Sequence, residues 1–192
     1  MLGTTTAIQP ALLAAADLPP GFSRVPTTPP GGSLSSSNPK CATFVLILNS
    51  STARGSLAQA AARLSGGNRG PFIDEWIDAL ASPAAVAAEQ GELKTALADC
   101  AEATVTPPGG LPSKVLIQAV SPPTAGQNPV AYRVTVSGGS MDAFQFTTVQ
   151  AGVGDTIVSL NFVGAQPGDI DGMARSAVDK AARVLGRSAA GP

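Results

Sequence analysis

Two cysteines, Cys41 and Cys100, are the side chains best suited to covalent chemistry in this sequence, and no histidine accompanies them. Without an imidazole the chain cannot assemble a Ser-His-Asp or Cys-His nucleophile pair. Two thiols so far apart cannot form a zinc site or a CxxC redox pair either. They are either two buried free thiols or one disulfide. The disulfide is carried forward: in the chain-entropy picture, closing a loop of this length stabilises a fold by roughly 4 kcal/mol. Such bonds persist outside the reducing cytosol.

Carboxylates are the other groups that could act on a substrate or a cation. Asp74, Glu75 and Asp78 cluster around Trp76. They could grip a cation or a ligand, but a solvated face is the expectation. Asp169 and Asp171, beside Gly168 and Gly172, resemble part of a calcium loop yet lack the closing glutamate of an EF-hand. Capping of a helix N-terminus explains them better. Asn49-Ser50-Ser51 has glycosylation spacing, read here as a chance match. No catalytic residue, metal ligand or cofactor is therefore assigned.

Binding is a different matter. Trp76 and Tyr132 combine an apolar ring with a polar tip, which suits half-buried ligand clefts. Ordinary core packing is the alternative for both. Arg133 lies between Tyr132 and Val134, so it faces the other side of its strand, toward an anionic head group or toward water. Trp76, Tyr132 and Arg133 are the candidate ligand-binding residues.

The elements that must position these residues follow from pattern. Pro10–Leu18 reads as a short helix stopped by Pro19-Pro20-Gly21. Residues 26–40 read as a loop. Cys41–Leu48 is an apolar run that periodicity alone does not assign. Within it, Phe44–Leu48 reads as core beneath the disulfide rather than as a wall for an acyl chain. Ser56–Leu64 fits either a strand or an Ala-rich helix. In Pro71–Leu80, Phe72, Trp76 and Leu80 share a helical face, so local pattern slightly favours helix. The next helix is unambiguous: Ser82 caps it, Pro83 sits in its first turn, and Val86, Leu93, Leu97 and Cys100 recur at helical spacing. Four strands follow, Lys114–Val120, Pro129–Ser137, Met141–Gln150 and Thr156–Val163, with turns at Ser137–Ser140 and Gly152–Asp155. An amphipathic helix from about Asp169 to Gly186 ends the chain. An antiparallel meander with helices segregated from it is an α+β fold.

Composition sets the outer limits. A chain of 192 residues with 44% hydrophobic content supports one domain. A formal net charge of −1, with one Trp and one Tyr to stack on bases, argues against nucleic acid as a partner. No stretch approaches the ~20 apolar residues of a membrane helix. The N-terminus lacks a basic n-region and is broken by Pro10 and Asp17, so it reads as the start of a mature domain whose signal peptide has been removed.

Taken in order, these parts resemble the PknH-like extracellular sensor domains of mycobacteria and their lipoprotein relatives. The matching features are Asp17-Leu18-Pro19-Pro20-Gly21-Phe22 after a helix, Cys41 after a variable loop, and an aromatic segment at Glu75-Trp76. Ser82-Pro83 opening an Ala-rich helix, Cys100 closing it, Tyr132-Arg133-Val134, Val158 and the final helix complete the likeness. The resemblance implies a strongly twisted antiparallel β-sheet with helices packed on it, a ligand cleft, and one disulfide here where some members have two. It also implies that Ser56–Leu64 and Phe72–Leu80 are strands, against the local reading of the latter, and the strand assignment is adopted.

The expected organisation is an N-terminal tail over 1–8, a single sensor-type domain over 9–187 and a C-terminal tail over 188–192. The expected function is non-catalytic recognition of a small ligand in a bacterial envelope, in the periplasm or on the outer face of the membrane. Contact with the membrane would come only through an N-terminal lipid anchor. A lipid or glycolipid carrier, and an accessory subunit of an envelope membrane-protein complex, are the alternatives.

Overall fold

A computed structural model describes residues 4–27, 33–106 and 109–189. Nine strands form one open sheet in which every neighbouring pair is antiparallel. In chain order they are β1 (Ser23–Val25), β2 (Ser33–Ser35), β3 (Ala58–Ser65), β4 (Phe72–Ala79), β5 (Glu102–Thr106), β6 (Ser113–Val120), β7 (Gln127–Ser137), β8 (Gln145–Val153) and β9 (Thr156–Val163). Across the sheet the order is β1-β3-β4-β9-β8-β7-β6-β5-β2. Four α-helices accompany it: α1 (Thr5–Ile8), α2 (Ala42–Asn49), α3 (Pro83–Asp99) and α4 (Pro167–Leu185). The α+β architecture is as expected.

Most buried apolar residues fall into two clusters on opposite faces, and a third, small one joins Leu80, Val86 and Ile157. On one face, α4 and the N-terminal segment cover β3, β4, β9 and β8, burying Ile73, Ile77, Val158, Leu160 and Phe162 against Met173, Ala177 and Leu13. On the other, α2 and α3 cover β5, β6 and β7, burying Val115, Ile117, Val134 and Tyr132 against Phe44, Leu93 and Ala96. The helices are thus placed diagonally. Each half of the sheet is packed on one face and left largely bare on the other.

The disulfide joins Cys41 to Cys100 across 59 residues, with both cysteines fully buried. It ties the start of α2 to the end of α3. Ser82 caps α3, its hydroxyl accepting from the Ala85 N–H at 3.2 Å. Loss of an N-cap acceptor typically costs about 1 kcal/mol. Ser82→Ala should therefore lower the unfolding free energy by about that amount in denaturant titration, whereas Ser82→Asp should keep it.

Several sequence expectations change. Pro10–Leu18 is not one helix. A 3-10 turn at Gln9–Ala11 and another at Ala15–Asp17 flank an extended Leu12. Two carboxylates capture its amides: the Leu13 N–H donates to the buried Glu75 carboxylate of β4 at 2.6 Å, and the Asp17 carboxylate accepts from the Ala14 N–H. Packing also begins earlier than residue 9, because Ile8 at the end of α1 is fully buried. Within 26–40, described in part, Ser33–Ser35 pairs with β5 as an edge strand. The apolar run after Cys41 is helical. Phe72–Ala79 is a strand, as the family resemblance implied and local periodicity did not.

Candidate functional site

Strand pairing places five polar side chains in one straight row across the bare half-face beside α3. Arg63 on β3 is registered with Asp74 on β4, Asp74 with Asn161 on β9, Asn161 with Thr148 on β8, and Thr148 with Tyr132 on β7. Direct cross-strand neighbours on one face stand close enough for their side chains to interact. They do so here. Arg63 Nε lies 3.4 Å from Asp74 Oδ1, Thr148 Oγ1 donates to Asn161 Oδ1 at 3.3 Å, and the Tyr132 hydroxyl is hydrogen-bonded to Thr148.

The row has unlike flanks. Along one side run Trp76, Ser159 and Gln150, where the Gln150 amide reaches the Ser159 hydroxyl at 3.4 Å while its own oxygen is buried without a partner. Along the other side run Phe72, Val163 and Phe146, and the Arg63 guanidinium sits 5.7 Å from the centre of the Phe72 ring. Arg63, Asp74, Trp76, Ser159, Asn161, Thr148 and Gln150 are all half-buried. Desolvation raises the Asp74 carboxyl above its ordinary range, with Arg63 opposing the shift. Burial pushes the Tyr132 hydroxyl up to about 12, against the Thr148 bond that lowers it, so it stays a neutral donor.

The three residues singled out from sequence are distributed as follows. Trp76 and Tyr132 share this face, three strands apart or roughly 14 Å. Tyr132 is also core: it is buried under α2, with the Phe44 ring edge-on at 5.6 Å. Arg133 occupies the opposite face, as strand alternation requires. Arg63, Asn161 and Thr148 were not singled out from sequence, and Asp74, weighed there as a grip for a cation or ligand, was expected on a solvated face. They become neighbours only through register between distant strands, which no local motif announces.

The acidic cluster is not the solvated face expected of it. Once Phe72–Ala79 is extended, Asp74 and Asp78 point to one side and Glu75 to the other. Asp78 is buried and held by the Gln59 amide at 3.1 Å. Burial raises its carboxyl, while bonds from Ser56, Gln59 and the Ala53 N–H offset this. Glu75 is fully buried beneath the N-terminal segment. Among the described residues, no group of three or more carboxylates or thiols is arranged to hold a metal ion. Asp169 lies in the first turn of α4, where a helix dipole favours a carboxylate.

The chain matches no known protein-family model and no curated protein sequence. Among solved structures it is similar to the extracellular domain of PknH from Mycobacterium tuberculosis, with a TM-score of 0.66 at 16% sequence identity. The alignment covers 93% of this chain and 96% of that one. At that identity the likeness is one of fold, and it extends over nearly the whole length of both chains.

Proposed function

We propose that this chain is an exported, non-catalytic recognition domain of a bacterial cell envelope, and that the polar row from Arg63 to Tyr132 receives its ligand. The observation that carries this reading is the row itself. Four half-buried polar side chains in register, Arg63, Asp74, Asn161 and Thr148, cross the bare half of a sheet face and end on the buried Tyr132, between an aromatic-aliphatic flank and the chain's single tryptophan. Soluble sheets commonly leave one face to water. A row held by its own hydrogen bonds, with an orphaned amide oxygen beside it, is better suited to a small ligand rich in hydroxyl and amide groups. Trp76 offers such a ligand a flat apolar surface. The fold likeness to an extracellular domain, together with a buried disulfide, supports placement outside the cytosol. Attachment by an N-terminal lipid anchor belongs to the same proposal, and the intact mass of the protein isolated from its own host reads it directly.

The test uses the only tryptophan as reporter. Titrating soluble cell-wall oligosaccharides and muropeptides into the protein should give a saturable change in Trp76 emission for at least one fraction. Asn161→Ala should weaken that binding by roughly tenfold, since it removes the middle of the row, while costing about 1 kcal/mol of stability or less. A flat emission trace for every fraction would remove the row as a ligand site. Co-isolation of a stoichiometric membrane-protein partner with no bound small molecule would favour the accessory-subunit reading.

A further inference from the structure

The polar row has two unlike ends. Among the described residues, only the three-residue edge strand β1 lies beyond Arg63, with Val25 registered against it. The Arg63 side chain is 25% exposed and that of Asp74 18%. At the far end Tyr132 is buried, and Phe44 of α2 meets its ring edge-on at 5.6 Å. A helix with its side chains is about 10 Å across, so α2 closes the row where it covers Tyr132. We propose that the row is a track with one blind end, which takes the last about four sugars of a linear, uncharged glycan chain, a proposal that rests on the row being the ligand site.

The spacing suits a chain of rings. Adjacent strands stand about 4.8 Å apart, close to the length of one pyranose unit in a linear chain, and the four half-buried members lie on adjacent strands. Each sugar can meet one member: Arg63, Asp74, Asn161 or Thr148. Guanidinium, carboxylate, amide and hydroxyl in succession offer donors and acceptors to a polyol. Arg63 and Asp74 cancel in charge, so the row favours a neutral ligand over an ionic one. Trp76, two residues from Asp74 on the same face, flanks the track where a ring can lie against it. Successive strands turn by about 20°, and a glycan follows that turn by rotation about its glycosidic bonds.

Other chains suit the row less. An extended peptide gains most from a backbone ladder along a free strand edge, whereas β4, β9 and β8 are each paired on both sides. A hydrocarbon would strip water from the polar groups and return no hydrogen bond.

The experiment titrates the full chain with β-1,4-linked N-acetylglucosamine oligomers from the disaccharide to the hexasaccharide, using calorimetry for affinity and Trp76 emission for position. Affinity should rise at least about tenfold from two sugars to four and change less than about twofold from four to six. A disaccharide gains most at the blind end, where burial is deepest, and there it meets Thr148 and Asn161. Trp76 stands on β4, beside the third position from that end, so its emission should respond to the trisaccharide and longer but not to the disaccharide. Thr148→Val should weaken disaccharide and tetrasaccharide alike by about tenfold; Arg63→Gln should weaken the tetrasaccharide by about tenfold and leave the disaccharide within about twofold. An adamantyl cap on one terminus of the tetrasaccharide should abolish binding, and the same cap on the other terminus should be tolerated. Should Arg63→Gln misfold, the capped pair decides. Equal tolerance of both caps, equal loss with both, or affinity that keeps rising to six sugars would overturn the blind end while leaving the row a ligand site. Saturable emission changes with stem peptides alone, and no binding of the oligomers, would put a peptide in place of the glycan. A flat trace for these and for every wall fraction would remove the row itself, so the two failures are distinguishable.

Discussion

Replacing both Cys41 and Cys100 with alanine should lower the unfolding free energy by about 4 kcal/mol. The bridge closes a loop of 59 residues, and the stabilisation comes mainly from the conformations it denies the unfolded chain. In a protein of this size that loss corresponds to a fall in Tm of roughly 8–16 °C. The first contacts to loosen should be those of α2, whose N-terminus the bridge anchors and whose Phe44 covers Tyr132. Tyr132 ends the polar row, so the variant should also bind row ligands more weakly even where it remains folded. Guanidinium denaturation of the oxidised protein, of the reduced protein and of the double-alanine variant checks the first part. A loss below about 1 kcal/mol would mean that the reduced chain is already constrained in its denatured state.

Much of the architecture was legible because β6 to β9 alternate cleanly. Tyr132, Val134 and Val136 on one side of β7, with Arg133 on the other, announced both the strand and its two faces. Ser82-Pro83 announced α3 with equal clarity. Less legible were segments whose local pattern is overruled by distant partners. Phe72–Ala79 carries Phe72 and Trp76 at helical spacing, but as the third strand from the edge of the sheet it is paired on both sides, and its two faces meet different environments. The run Glu102–Thr106 was missed as β5 because it is short and lies between the helix end and Pro107. Pro10–Leu18 failed as a helix because a carboxylate from β4 captured one of its amides.

The candidate site follows the same division. A single residue with a suggestive side chain, such as Trp76 or Arg133, can be picked from sequence. A row assembled from β3, β4, β9, β8 and β7 cannot, since its members are spread from residue 63 to residue 161 and only the register aligns them. The blind end at Tyr132 likewise depends on where α2 lies over β7. Diagonal helix placement explains both at once: it frees the half-face that carries the row and sets a helix across the row's end.

The second large effect is a loss of stability with rising pH that disappears in Glu75→Gln. Glu75 is fully buried, one carboxylate oxygen accepting from the Leu13 N–H and the other without a partner. Burial raises its pKa from 4.5 to about 7; the Leu13 bond, Lys180 and Arg24 oppose this, and Asp17 adds to it. Because the folded value lies above the unfolded one, the native state holds the extra proton between them. Stability is then fully present below about pH 4.5, falls as pH climbs toward 7, and levels off above. At 1.36 kcal/mol per unit the total is about 3 kcal/mol, or roughly 6–12 °C in Tm. Asp17 works in the opposite sense. Burial would raise it, but the 2.6 Å Lys180 bond and the Ala14 N–H prevail and hold it below the usual range, so its contribution is lost only in acid. Glutamine keeps an acceptor for Leu13 and carries no charge, so the difference between wild-type and variant Tm should grow from pH 5 to pH 8. Parallel curves would show that Glu75 ionises without cost and that water reaches it beneath the N-terminal segment. Glu75→Leu separates the two roles of the side chain, since it removes the titration but orphans the Leu13 N–H, at about 1–3 kcal/mol independent of pH.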